Sequence, residues 1–548
     1  MREGSHDRGV DPRVLNALTR KDVLKGAAAG ATTLSLASVL AACGGSGSGG
    51  QGSGDTSDSS DGAPVSGTPK KGGVLRIGVI AVDSSTHTLD PDQLTGDMEI
   101  ATNHSLYDNL VRRGDDLSIE PALAEELSAN DDGTVWTIRI REGVLLHDGR
   151  NFTADDLIAS LKKKLKPASR ASTLLTGVDP NGIKKMDDRT VRVNMKVPFA
   201  VFPEPLSRLH GCITPAGFDP KKPIGTGPFK LKDWVPGERV TLERFDDYWG
   251  EAAHVDEVQI IGISDDNARV NALLSGQVDA IDDLPYNQVP VIEKTPGFGT
   301  FVGGRGAYRQ IYTRALSGPF RDVRVRQAIR LVVDREQVVK SAFNGHADLG
   351  NDTWGTDYPG GDVVNVEQRV QDIEQARSLL RAAGQSDLRV QLTASPQASG
   401  MVEMCEVLAE NAKAAGITID VRKVPGPEYL ANLYTKTPPF GVQVWSNGSY
   451  MDQAPLIAIP DGPYNVARYD DEQYTRLYNE AASTVDDAKR FEIMADMHRI
   501  QWEKGGYHTF AYARDIGGHA DKVKGWVKDF RGWAPLMNYR FHQMWLES

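Results

Sequence analysis

The sequence predicts a mixed α/β protein of several lobes. Three observations carry that prediction. Trp136, Ile138 and Ile140 alternate with Thr137, Arg139 and Arg141, the pattern of a half-buried strand. Val325, Ala328, Ile329, Val332 and Val333 fall at helical spacing, which gives one helix an apolar face. Residues 388–421 read as strand, helix and strand, a βαβ unit whose strands run parallel and whose connection is right-handed. A length of 548 residues, at roughly 100–200 residues per domain, fits about three lobes.

In chain order, residues 1–42 have the layout of an export signal. Arg2, Arg8, Arg13, Arg20, Lys21 and Lys25 outnumber Glu3, Asp7, Asp11 and Asp22, and Gly26 to Ala42 is uncharged and rich in small residues. Leu40-Ala41-Ala42-Cys43 resembles a bacterial lipobox, so Cys43 is expected to carry the lipid that ties the protein to a membrane. Arg20-Lys21 resembles a twin-arginine motif with lysine in the second place, which leaves both export routes open. Residues 43–73 are rich in Gly, Ser and Asp and read as a lipid-anchored flexible linker. The G-x-G-x-x-G at Gly47, Gly49 and Gly52 has no strand before it and no helix after it, so it is not a dinucleotide site.

The body then shows clear punctuation. The Asp132-Gly133 turn precedes the strand around 136–140, and a second turn, Asp148-Gly149, leads to Thr153. Thr153 is placed to cap a helix over 155–165, with Asp156 at its third position. The stretch 229–244 is β-branched and aromatic and predicts antiparallel strands. Asp334 caps the helix after the 325–333 stripe. Leu388, Val390 and Leu392 alternate as a strand. Met401, Cys405, Leu408 and Ala412 are the buried stripe of a helix that stops at Gly416, and Ile417, Ile419 and Val421 form the next strand.

Composition excludes several function classes. Sixty-two Lys and Arg against 74 Asp and Glu give a net charge of −12, without the basic footprint of nucleic-acid binding. Three cysteines cannot form a disulfide scaffold; with Cys43 acylated, a Cys212–Cys405 bridge is open outside the cell, but Cys405 lies on a core stripe, so two buried free thiols are the expectation. No apolar run in the body reaches the roughly 20 residues of a membrane-spanning helix. Eleven scattered histidines, the nearest pair being His498 and His508, match no metal spacing, and no cofactor motif is present. His147 reads as a loop histidine. Ser160-Leu161-Lys162-Lys163 fits S-x-x-K, so an acyl-transfer enzyme using Ser160 and Lys163 is the competing reading. Its K-T-G companion is absent, since Lys294-Thr295 and Lys436-Thr437 are each followed by proline. The motif is expected on the basic face of a surface helix.

Three blocks remain. The first is Asp132-Gly133-Thr134-Val135-Trp136-Thr137-Ile138 with Arg141-Glu142-Gly143-Val144-Leu145-Leu146-His147-Asp148-Gly149. The second is Gly225-Thr226-Gly227-Pro228-Phe229-Lys230, then Asp247-Tyr248-Trp249-Gly250 and Ser275-Gly276-Gln277-Val278-Asp279-Ala280. The third is Pro319-Phe320-Arg321-Asp322-Val323-Arg324-Val325-Arg326-Gln327-Ala328-Ile329 with Asp334-Arg335-Glu336. In this order they resemble the extracytoplasmic solute-binding proteins of family 5, the peptide-type receptors of ABC importers, from about Gly73 to Trp545.

The resemblance implies an α/β, bilobal, periplasmic-binding-protein-like clamp with a hinge between lobes. Lobe I would be 74–300 plus 508–548, with a subdomain inserted at about 101–222, and lobe II would be 301–507. It implies a monomer that binds a peptide, or alternatively an oligosaccharide, and passes it to an ABC permease without a cofactor. The motif blocks themselves are expected to be scaffold. In peptide-binding members a W-x-x-D-Y-x-D-P segment pairs its first aspartate with the peptide's ammonium. Here Trp445 aligns and Gly448 stands at that aspartate; Asp452 serves if the segment carries an insertion, and otherwise the ligand lacks a free amino terminus. Trp445, Asn447, Tyr450, Trp354 and Tyr308 are the other candidates for the cleft, and Arg305 is a candidate to meet a ligand carboxylate.

Overall fold

Local signals set the elements they specify. A computed structural model of the chain describes residues 68–547 apart from positions 95, 434, 435, 461, 528, 529 and 533. The export signal, Cys43 and the linker up to residue 67 lie outside the described residues. Trp136, Ile138 and Ile140 are buried along the strand Val135–Ile140, while Thr137 and Arg139 face outward. The Asp156 carboxylate accepts from the Thr153 N–H and hydroxyl, each at 2.9 Å, and starts the helix Ala154–Lys164. Asp334 accepts from the Gln337 N–H at 2.9 Å and starts Arg335–Phe343.

Two large sheets and one smaller sheet organise the body. The first runs in the order Phe298–Arg305, Ala511–Ala520, Ala280–Ile281, Val74–Val79, Glu257–Gly262, Arg239–Arg244, Phe229–Val235. Val74–Val79 pairs in parallel with both neighbours, Ile77 lying opposite Ile260. The other pairings are antiparallel, including Phe229–Val235 with Arg239–Arg244 as their composition predicts. The second sheet runs Thr418–Lys423, Arg389–Ala394, Phe440–Trp445, Tyr308–Thr313, Tyr507–His508. Arg389–Ala394 and Thr418–Lys423 are parallel, and the helix Met401–Ala412 between them buries Met401, Cys405, Leu408 and Ala412. The third is an antiparallel sheet of Ala124–Ala129, Val135–Ile140, Thr190–Met195 and Val178–Lys185.

The chain passes from the first sheet to the second between Arg305 and Tyr308 and returns between His508 and Ala511. The two crossings lie side by side, since Gln310 donates to the Thr509 hydroxyl at 3.2 Å. A short strand, Ala347–Leu349, also pairs with the start of Ala511–Ala520.

The sequence blocks hold this frame together. His147 accepts the Gly225 N–H on Nδ1 at 3.1 Å, and its Nε2 lies 3.0 Å from the Gly227 carbonyl, so the first block is tied to the second. A Cβ on Gly225 or Gly227 would strike the carbonyl end of the helix Asp97–Leu106, so only glycine fits there. Tyr248 and Trp249 both donate to Asp108, at 3.0 and 2.8 Å. Asp279 takes a two-pronged Arg76 and the Lys522 ammonium. Arg326, Gln327 and Arg330 reach the last carbonyls of the helix Asp487–Lys504, groups that no turn of that helix satisfies.

The S-x-x-K motif is not on a basic surface face. Ser160 is buried and accepts the Thr214 N–H at 3.1 Å. Lys163 instead pairs with Asp90 and Asp92, at 2.5 and 2.9 Å, beside the Phe218 ring. The helix turns the hydroxyl into the core and the ammonium outward, so the two groups hold different partners. Cys212 and Cys405 are both buried and free, and burial pushes the Cys212 thiol up to about 12.

Candidate functional site

The strand Phe440–Trp445 ends beside the first crossing, and the loop after it carries Asn447 into the space between the two large sheets. Tyr308 donates to Asn447 Oδ1 at 2.5 Å and accepts the Gly355 N–H at 2.9 Å. Asn447 Nδ2 lies 2.7 Å from the Arg305 carbonyl and 3.0 Å from Asp357 Oδ2. Arg305 donates to Thr356 at 2.7 Å and to Asp348 at 3.2 Å, with its guanidinium 4.2 Å from the Tyr512 ring centre. Three of the sequence candidates, Arg305, Tyr308 and Asn447, therefore meet around Gly355–Asp357. Arg305 spends its donors inside the protein.

Trp445 is half-buried, edge-on to Tyr464 at 5.4 Å, with no hydrogen-bond partner for Nε1 among the described residues. Trp354 and Tyr450 border the same cluster, since Gly355 packs against the Tyr450 backbone. Their rings stack at 5.0 Å, Tyr450 stacks on His498 at 3.7 Å, and both are wholly buried in packing.

Asp452 has a partner already. It lies in the first turn of the helix Tyr450–Ile457, capped by Ser449, and forms a buried ion pair with Arg208. Arg208 also donates to the Ser446 hydroxyl at 2.9 Å. A Cβ on Gly448 would collide with the Arg208 guanidinium, so the chain's own cation fills the space beside that position. Burial raises the Asp452 carboxyl, and the Arg208 and Arg113 charges oppose that shift. Glu204 pairs with Arg113 and accepts the Ser449 hydroxyl at 2.7 Å. Arg113 in turn lies 5.1 Å from the Tyr358 ring centre, and the buried Tyr358 hydroxyl has no hydrogen-bond partner among the described residues.

Sequence reasoning missed Arg113, Glu204, Arg208, Asp357 and Tyr358. No local signal marks them, because Arg208 and Asp452 are 244 residues apart.

Two lobes joined by adjacent crossings, with ion pairs and side-chain hydrogen bonds spanning the gap, define the bilobal clamp of the periplasmic binding proteins. The family model for bacterial extracellular solute-binding proteins, family 5, matches residues 118–468. The chain belongs to that family, whose members are extracytoplasmic solute receptors and not enzymes. It is 24% identical over 480 residues to the glutathione-binding protein GsiB of Escherichia coli (strain K12), covering 83% of this chain and 93% of the relative. Among solved structures it is similar to the PBP AgaA in complex with agropinic acid from A. tumefacien R10, with a TM-score of 0.74 and 26% identity over 87% of this chain and 99% of that one. It has the same TM-score, 22% identity and the same coverage with the ABC transporter-associated periplasmic binding protein DppA from Helicobacter pylori in complex with the peptide STSA.

Proposed function

We propose that this chain is a lipid-anchored receptor of an ABC importer that captures a peptide or similar small organic solute between its lobes and delivers it to the permease. The observation that carries the reading is the pair of adjacent crossings, Arg305 to Tyr308 and His508 to Ala511. Two short, neighbouring segments let 74–305 with 511–548 rotate against 308–508 while each lobe keeps its own sheet. Contacts such as Arg208 with Asp452 would then form on closure and part on opening. The solutes named for the relatives, glutathione, a peptide and agropinic acid, support a small organic solute. Cys43 and the linker that follows it support attachment to the membrane.

A thermal-shift screen against di- to pentapeptides and oligosaccharides, combined with small-angle scattering, tests the reading. A solute that raises the melting temperature is expected to reduce the radius of gyration. A binder that leaves the radius unchanged at saturation would sink the clamp mechanism. In the producing cell, Cys43→Ser is expected to release the protein from the membrane fraction, and retention there would remove the lipid anchor.

A further inference from the structure

Arg113 and Tyr358 meet across the gap between the lobes. Arg113 ends the strand Val111–Arg113, ahead of the first crossing. Tyr358 follows that crossing, in the loop whose Gly355 and Asp357 bond to Tyr308 and Asn447. The Arg113 guanidinium lies 5.1 Å from the Tyr358 ring centre, and each residue is only 3% exposed. Each carries a hydrogen-bond donor with no partner among the described residues, the Arg113 Nε–H and the Tyr358 hydroxyl. The remaining Arg113 nitrogens are committed: Nη1 donates to the Leu117 carbonyl at 2.8 Å and Nη2 to Glu204. Burial pushes the Tyr358 hydroxyl above its usual range, against the Arg208 and Arg113 charges, so it keeps its proton and donates.

Two neighbouring donors buried and bare are costly unless an acceptor joins them. The surrounding charges decide what kind of acceptor fits. Glu204 already meets Arg113, and Asp452 already meets Arg208. Arg305, the next cation along the cleft, is bonded to Asp348 and Thr356. Asp357 places a further carboxylate on the same loop as Tyr358, held by Asn447 at 3.0 Å. Neither guanidinium beside the bare donors needs another counter-charge, so an uncharged oxygen suits the position better than a carboxylate.

We propose that Tyr358 and Arg113 form a subsite for an uncharged acceptor oxygen of the solute, an amide carbonyl or a sugar hydroxyl. This subsite rests on the reading of the chain as a solute receptor and adds to it the chemistry that is gripped. A few placed polar groups in an otherwise apolar wall are what fix a ligand's orientation. Because the two donors come from opposite lobes, a solute oxygen between them ties the lobes together, and closure completes the subsite.

Calorimetric titration and thermal melting of the full chain and its Tyr358→Phe variant test it, with trialanine, trialanine amide, glutathione and maltotriose as probes. The variant keeps the ring beside Arg113 and removes the hydroxyl alone. Without solute it is expected to melt no lower than the parent, because the group removed is buried without a bond. A clearly lower melting temperature would mean that the hydroxyl is bonded within the protein, and overturns the subsite. With solute, the tightest probe is expected to bind about tenfold more weakly to the variant. Arg113→Lys keeps a cation for Glu204 and loses Nε, and is expected to weaken the same probe similarly. Which of trialanine amide and maltotriose loses affinity tells the carbonyl from the hydroxyl. A loss confined to probes with a free carboxylate overturns the assignment to an uncharged oxygen. Affinity unchanged in either variant overturns the subsite and leaves the receptor reading standing. Failure of the parent to bind any of the four overturns the subsite and counts against the receptor reading as well.

Discussion

Arg208 and Asp452 meet across the gap with both side chains buried, and such a pair matters most when one half is removed. Arg208→Ala leaves the Asp452 carboxylate enclosed, and a loss of about 3 kcal/mol is expected in urea unfolding. Arg208→Met with Asp452→Leu is expected to recover most of it; if the double variant is as unstable as the single one, the pair is not the cause. Burial raises both free thiols. Cys212 and Cys405 are therefore expected to stay silent to a disulfide reagent in the native protein and to react fully after denaturation. Rapid native labelling would contradict their placement. Burial also holds His147 and His210 down at about 4, below the ordinary 6.5. The unfolded chain then takes up protons first as pH falls. Stability from these groups is complete above pH 6.5 and is lost on the way down to about 4, on the order of 2 kcal/mol for His147. Asp97 and Asp515 act in the opposite sense between about 7 and 4, so the loss is read as a smaller acid-induced drop in melting temperature for His147→Asn than for the parent.

At the scale of elements, helix starts and strand faces follow from neighbouring residues. Thr153 with Asp156, Asp334 with Gln337, and the alternation at 136–140 each act within a few positions, so the sequence pattern and the structure agree there. The βαβ unit at 389–423 is legible for the same reason, because one buried stripe between two alternating runs fits only one layering. The end of the helix Asp487–Lys504 is different. Its carbonyls are satisfied by Arg326, Gln327 and Arg330, from a helix more than 170 residues earlier. Arg330→Met is expected to cost about 3 kcal/mol, since several carbonyls lose their donor at once, and to raise hydrogen exchange at 500–508 before the rest of the second sheet. Uniform exchange across both sheets would show that the guanidinium does not anchor this end.

At the scale of the whole molecule, two adjacent crossings join the first sheet to the second, beside which Tyr308 and Asn447 meet. Scattering on the Arg208→Ala protein is expected to show a larger radius than the parent without solute, because the lobes lose a tie; an unchanged radius would mean that other contacts set the closure. The sequence by itself determined the mixed α/β class, the caps and faces of its elements, and, through blocks that prove to be scaffold, the family. Those blocks are recognisable because turns, close glycine approaches and buried caps tolerate few side chains, as Gly227, His147 and Asp279 show. The site was less legible. Tyr308, Asn447 and Arg305 converge, and Trp354 and Tyr450 stack on each other beside them, because an aromatic ring serves a core and a cleft equally well in one dimension. Tertiary structure alone decided that Arg208 would take Asp452 and that Arg326, Gln327 and Arg330 would cap the end of Asp487–Lys504. Electrostatic neighbours are chosen by distance in space, and nothing in the spacing of those residues along the chain encodes it.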